Sequence, residues 1–279
     1  MVKQNPEVAG KIKTGVFESN YHDNGEGFPV ILIHGSGPGV SSWANWGKVM
    51  GPLSKNRRVL GLDMAGFGFT ERRAGTAYTL DLWTRQVLDF MEALGIKQAD
   101  LVGNSFGGAI ALSLAINHPE SVRKLVLMGA MGVRFEITEG LDRVWGYEPS
   151  FENMRGLLDL FAYNREIVND DLARMRYEAS IRSGFQESFG AMFPVPRQRF
   201  VDALAKDEDR IHEIQHPTLI IHGREDKVIP LETSLKLIRL IPEAQLHIFG
   251  HCGHWTQIER TAEFNGLLDN FLSWEGEKC

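Results

Sequence analysis

The chain has 279 residues, 43% of them hydrophobic and 24% charged, which suffices for a large buried core and excludes global disorder. A formal net charge of -6 argues against a general nucleic-acid binder, and no stretch of membrane-spanning length is free of charge. Residues 1–10 lack a basic head followed by an apolar run, and Cys252 and Cys279 make neither a disulfide framework nor a metal set, so a cytoplasmic location is expected.

Residues 11–17 and 30–34 are short apolar or alternating segments that predict early strands, joined by a hairpin or loop through Asp23, Asn24, Gly25, Glu26 and Gly27. The second runs into His34, Gly35, Ser36, Gly37, Pro38 and Gly39, a loop whose backbone can approach a ligand closely. It lacks the lysine and Ser or Thr of a nucleotide P-loop and the spacing of a dinucleotide fingerprint, so an oxyanion loop fits better. Asn45 follows at the start of a predicted helix, where its amide either faces solvent or donates to a substrate oxygen. Residues 58–63 predict a buried strand. Residues 79–94 predict a helix with Leu80, Trp83, Val87, Phe90, Met91 and Leu94 on one apolar stripe and Gly95 as its C-cap.

The chain is organised around Gly103, Asn104, Ser105, Phe106 and Gly107. An apolar run leads into this Gly-x-Ser-x-Gly and helix-favouring residues 108–117 lead out of it. The pattern is strand, sharp turn, helix, with a serine exposed at the turn. The Phe106 N–H can serve a developing oxyanion at the positive end of the helix. Five such residues occur by chance in glycine-rich turns, and the context is what makes them informative. Residues 124–128 predict a further strand, so short buried strands alternate with helices, as in a largely parallel sheet of an α/β core.

From 134 to 209 the alternation stops. Residues 151–161, 166–180 and 197–205 read as helices, interrupted at Gly184, Pro194 and Pro196. The expected organisation is a first core part at 1–133, an inserted helical lid at 134–209 and a second core part at 210–279. Phe161, Trp145, Phe185, Phe189 and Phe193 are lid packing by default, some of them presenting an apolar wall to a ligand. Arg174 and Arg176 cannot point the same way on a regular helix, and one facing the cleft would pair with a carboxylate. Residues 218–222 and 246–249 restore the strand signal, and 263–272 read as a closing helix.

Ser105 needs a base, since an ordinary hydroxyl is a poor nucleophile near neutral pH. His254, in a glycine-rich loop after the last strand, is the best base and Asp226, after its own strand, the best orienter. Asp63 and Asp100 are rival carboxylates, and His251 is the rival histidine. Cys252 reads as a small packing residue rather than a nucleophile. No helical His-x-x-x-His set and no Cys and His cluster marks a metal site, and the chemistry demands no cofactor.

Together these residues resemble the α/β-hydrolase fold family, and more closely its meta-cleavage product hydrolases, which cleave carbon–carbon bonds in 2-hydroxy-6-oxohexa-2,4-dienoates. The resemblance spans essentially the whole chain. It implies a triad of Ser105, His254 and Asp226, with Ser36, Gly37 and the Phe106 N–H around the oxyanion. It implies that Arg176 meets the dienoate carboxylate, with Asn45 and Asn104 near the same end, and that Phe161 and Trp255 line the cleft, where Trp145 is a further substrate-binding candidate. In the monocyclic, alkyl-substituted branch that it is most similar to, positions matching Met131, Val201 and Ile229 border the C6 substituent. Met131 is large there, which favours a small substituent. A homo-oligomer is implied as well. A carboxylesterase using the same triad, or a noncatalytic small-molecule binding protein, would carry many of the same residues.

Overall fold

The computed structural model describes residues 5–275, so Cys279 lies outside the described residues. Eight strands form one sheet: β1 (Gly10–Thr14), β2 (Phe17–Asn24), β3 (Pro29–Ile33), β4 (Arg58–Leu62), β5 (Ala99–Asn104), β6 (Val122–Met128), β7 (Thr218–Gly223) and β8 (Ala244–Phe249). Their order is β1, β2, β4, β3, β5, β6, β7, β8. The β1–β2 and β2–β4 pairs are antiparallel and the rest parallel.

The hairpin falls earlier in the chain than its turn residues suggest. β1 turns back at Gly15, whose φ is 55°, into β2. The turn through Gly25 and Gly27 instead delivers β3 to the middle of the sheet. β2 shows no apolar alternation because its buried polar groups are bonded internally, Asn20 Nδ2 to Asp63 at 2.8 Å and Ser19 to Thr14 at 2.6 Å.

The central strands read as continuous apolar runs because both faces are covered. On β3, Val30 and Leu32 join one core cluster with Trp46, Val49 and Phe264, while Ile31 and Ile33 join the other with Val87, Phe90 and Ile110. The flanking helices are α1 (Ser42–Leu53), α2 (Leu80–Ala93) and α3 (Phe106–Asn117). Ser41 and Thr79 cap α1 and α2 by accepting from the N–H groups of Ala44 and Leu82. α3 is apolar all round and almost wholly buried, as a helix packed behind a sheet centre must be.

Between β6 and β7 stand α4 (Glu139–Trp145), α5 (Phe151–Phe161), α6 (Asp170–Ser180), α7 (Phe185–Met192) and α8 (Gln198–Leu204). α4 and α7 span only seven and eight residues, too few turns for a periodic signal to stand out. The chain closes with α9 (Leu231–Leu240), α10 (Thr256–Glu259) and α11 (Thr261–Ser273). No helix of the described residues is long and apolar enough to cross a membrane.

Candidate active site

Ser105 sits between β5 and α3 with φ 54° and ψ -116°, a conformation that a non-glycine residue adopts only when its surroundings impose it. The surroundings here are backbone. A Cβ on Gly103 would come 2.4 Å from the Gly107 carbonyl oxygen, and one on Gly107 would come 2.3 Å from that of Ile33. Glycine at both positions lets the chain fold back without displacing β3. The Ser105 N–H donates to the Met128 carbonyl at 2.9 Å, which ties the elbow to β6. α3 begins at Phe106, two residues before the sequence suggests, because the tight turn ends at the serine. The Phe106 N–H is therefore an unshared first-turn donor.

His254 and Asp226 come from the loops after β8 and β7, and Nδ1 of His254 lies 2.7 Å from Oδ2 of Asp226. Oδ1 of Asp226 accepts from the N–H groups of Val228 at 2.7 Å and Ile229 at 2.9 Å. Burial opposes ionisation of Asp226, but His254, His222 and the Ile229 N–H outweigh it and hold the carboxyl below the ordinary range. With Nδ1 engaged, Nε2 of His254 is left for chemistry. Ser105 and His254 line the same cavity, with no direct hydrogen bond between them among the described residues. Such contacts commonly tighten when substrate binds.

The other candidates lie apart. Asp63 accepts from Ser42 N–H at 2.6 Å, Asn20 at 2.8 Å and Phe69 N–H at 2.8 Å, which makes it a structural carboxylate, and burial raises it to about 6. Asp100 pairs with Arg123 at the far end of β5. His251 is exposed. Cys252 is fully buried, and burial pushes its thiol well up, so it is no nucleophile. Among the described residues no group of three or more His, Cys, Asp or Glu could hold a metal ion.

The first loop is fixed by His34, whose Nδ1 donates to the Gly35 carbonyl at 2.8 Å and whose Nε2 accepts from Met64 N–H at 3.0 Å. Both bonds suit the neutral ring, and burial drives His34 down to about 4. Ser36 and Gly37 thereby line the same cavity as Ser105. Trp145 does not line it. Its indole stacks on Phe193, with centroids 4.3 Å apart, and its Nε1 donates to Ser36 Oγ at 2.9 Å. The tryptophan thus braces α4 against the first loop and is not part of the cavity wall.

The cavity holds about 40 Å³, room for about three waters. Arg176, Asn45 and Asn104 line one part of it with Trp255, and Phe161 closes over His254. Arg176 Nη2 donates to the Ala44 carbonyl at 2.8 Å, and its buried Nε has no partner among the described residues. Asn45 Nδ2 donates to Asn104 Oδ1 at 3.2 Å. Beyond Arg176 opens a wider cleft of about 680 Å³ that shares Ala44, Asn45, Arg176, Trp255 and Ile258 with the inner cavity.

Met131, Val201 and Ile229 are buried and do not line the cavity. Its apolar wall is instead Leu141, Val144, Met154, Leu158 and Val228, which sequence reasoning overlooks. The signal for most of them was present, since Met154, Leu158 and Phe161 fall at helical spacing on α5 and Leu141 and Val144 on α4.

Residues 29–261 match the family described as alpha/beta hydrolase fold. Over 271 residues the chain is 59% identical to a 2-hydroxymuconate semialdehyde hydrolase of Pseudomonas sp. strain CF600, covering 97% of this chain and 96% of that protein. It is 56% identical to a 2-hydroxy-6-oxo-2,4-heptadienoate hydrolase of Pseudomonas putida, covering 99% and 100%. The crystal structure of a meta-cleavage product hydrolase from Pseudomonas fluorescens IP01, a serine-to-alanine mutant complexed with acetates, superposes with a TM-score of 0.95 at 56% identity, covering 96% and 98%.

Proposed function

This chain belongs to the α/β-hydrolase fold family and to its meta-cleavage product hydrolases, and from that premise we propose that it hydrolyses a carbon–carbon bond in a 2-hydroxy-6-oxohexa-2,4-dienoate. One observation carries the reading. A cavity with Ser105 and an Asp226-held His254 at one part of its wall has an arginine with an unpartnered buried Nε at another. Arg176 there receives the dienoate carboxylate, with Asn45 and Asn104 beside it, because a forked cation matches two carboxylate oxygens.

The reaction has two parts. The proton of the 2-hydroxyl moves to C5 with His254 Nε2 as carrier, giving the keto form in which C5 can later leave as a stabilised carbanion. Ser105 Oγ, deprotonated by His254, then adds to the C6 carbonyl. The oxyanion is met by Phe106 N–H and by the Ser36 and Gly37 region of the first loop. The C5–C6 bond breaks, its electron pair runs through the conjugated fragment to the 2-oxygen, which takes the proton that His254 had accepted from Ser105, and 2-hydroxypenta-2,4-dienoate departs, leaving His254 neutral. His254 finally takes a proton from water, which releases the acyl group from Ser105 as a carboxylic acid. Asp226 keeps the imidazole in the tautomer this requires.

The helices from α4 to α8 serve as a lid. A six-carbon dienoate exceeds the narrow inner cavity, which opens toward the wider cleft at Arg176, so these helices or Arg176 shift to admit it. The C6 substituent is small, a hydrogen or short alkyl group; Met131, buried and off the cavity lining, would limit that end only through the residues in front of it. Catalysis takes place in the cytoplasm, in a homo-oligomer.

The test is Ser105→Ala with a yellow dienoate. Bleaching and acid release should fall by at least about a thousandfold, while the binding-induced spectral change of the dienoate persists. Turnover near the wild-type rate would overturn the covalent role of Ser105.

A further inference from the structure

His222, at the end of β7, is wholly enclosed, with a relative exposure of 0%. Its Nδ1 lies 2.7 Å from Ser234 Oγ and its Nε2 lies 3.1 Å from the Ile229 carbonyl. A carbonyl can only accept, so the ring proton is on Nε2, and the Ser234 hydroxyl donates to Nδ1. The same Nε2 stands 3.4 Å from Oδ2 of Asp226, the oxygen that also receives His254 at 2.7 Å. The two backbone donors already occupy Oδ1. Oδ2 therefore faces one imidazole that performs the reaction and a second that the reaction does not use.

We propose that His222 is a positioning residue for Asp226: its Nε2–H edge, locked in place by Ser234 and the Ile229 carbonyl, lies against Oδ2, steadies the carboxylate and disperses the charge that His254 meets. This assignment rests on Asp226 orienting His254. At 3.4 Å, with its N–H directed at the Ile229 carbonyl, Nε2 makes no hydrogen bond to Oδ2; the contact is electrostatic, the positive edge of the ring lying against the carboxylate, and it suits holding the loop and the carboxylate together. Burial, with Asp226 opposing, keeps His222 below the ordinary histidine range, so the ring stays neutral. Other titratable groups around the cluster are Glu232 on α9 and Cys252, with Glu225 and Glu259 bonded to the N–H groups of Cys252 and Gly253. All of them are common to every variant below.

The experiment compares His222→Phe, His222→Gln and His222→Asn. A glutamine amide can stand where Nε2 stands and keeps a donor toward Asp226, whereas an asparagine amide reaches only the Nδ1 position. Losing the donor concentrates charge on Asp226, which then holds the imidazolium of His254 more tightly. The acid limb of the pH–kcat/KM profile should therefore move to higher pH in the Phe and Asn variants, by about half a unit to one unit, and stay in place in the Gln variant. A serine-directed phosphonylating agent gives the same limb without the dienoate. That profile separates failure of this proposal from failure of the substrate reading. Should the Phe variant not fold, the Gln and Asn pair decides. Coincident limbs in wild type and Asn, or an equal shift in Gln and Asn, would overturn the role.

Discussion

Two regions meet at Ser105 and hold their side chains by different means. The α/β core fixes its groups through backbone: carbonyl oxygens leave no room for a Cβ at the glycines flanking the elbow, Asp226 is pinned by two N–H groups, and His34 bonds two main-chain atoms. The inserted helices reach the site through side chains and a few links. Trp145 Nε1 donates to Ser36, the Trp255 N–H to the Phe161 carbonyl at 3.1 Å, and Glu259 accepts from both Gly253 and Asn164 at 2.7 Å. A part built on backbone keeps reacting atoms in register. One built on side chains can open, and its apolar wall can be reshaped without disturbing the nucleophile.

The sharpest way to break this contrast is to add one methyl group on the core side. In Gly107→Ala the new Cβ would lie 2.3 Å from one carbonyl oxygen and 2.7 Å from another, with no flexible side chain to yield. Stability should fall by about 4 kcal/mol or more, and labelling of Ser105 by a phosphonylating agent should nearly vanish. Thermal unfolding and labelling rates measure both. Wild-type values would mean that the elbow tolerates a shift its contacts forbid.

On the lid side, Arg176→Gln keeps a donor but loses the charge. Hydrogen bonds to charged partners are worth about 1.5–3 kcal/mol, so kcat/KM for the dienoate should drop about ten- to a hundredfold. Labelling by an uncharged phosphonylating agent should be untouched, since core geometry does not depend on that arginine. Equal losses with both reagents would make Arg176 a structural residue instead.

Much of the core part was legible from the chain, and the reason is local. A nucleophile elbow needs Gly, Ser and Gly at fixed spacing, and parallel strands buried on both faces are short apolar runs whatever the rest of the sequence does. β2 was hidden because its polar residues are satisfied only by partners distant in sequence, such as Asn20 with Asp63. The lid wall was harder. Leu141, Val144 and Val228 become neighbours only when α4 and the loop after β7 are brought together, and one apolar side chain looks like another until its cavity exists. Trp145 was equally ambiguous, since an aromatic residue between β6 and β7 reads alike as packing or as cleft wall, and its indole bonds the first loop instead.

A pH experiment sharpens the contrast further, because His34 is a core group with no counterpart in the lid. Its folded value of about 4 lies below the ordinary histidine value of 6.5, so the unfolded chain takes up the proton first. Stability supplied by neutral His34 is present above pH 6.5 and lost as pH falls toward 4, by up to about 3 kcal/mol. Asp63, raised to about 6, works in the opposite sense over its own window, stabilising on acidification from pH 6 toward 3.8. The two offset in the wild type, so the comparison with His34→Asn is the informative one. That variant keeps the donor toward Gly35, loses the acceptor for Met64 N–H and cannot take up a proton. It should be less stable at pH 7, and its deficit should shrink as pH falls from 6.5 to 4. A deficit constant across that range in denaturant titrations would show that His34 is not held neutral by the fold.

The smallest expected effect decides which region sets substrate choice. Met131 belongs to the core, behind the cavity, whereas Leu141, Val144 and Met154 are lid residues on its wall. If Met131 limits the C6 end by occupying space a shorter residue would leave open, Met131→Ala should raise kcat/KM for longer alkyl dienoates relative to the C6-hydrogen compound. Discrimination at one or two methylenes amounts to about 1–3 kcal/mol, so a roughly tenfold change in the ratio is expected. The substitution also removes buried volume, and a drop in stability of about 2–5 kcal/mol should accompany it. A changed ratio would place specificity in the rigid part of the molecule. An unchanged ratio in a folded variant, followed by a tenfold change in Val144→Ala, would place it in the lid, where the side-chain wall can evolve while the triad stays still.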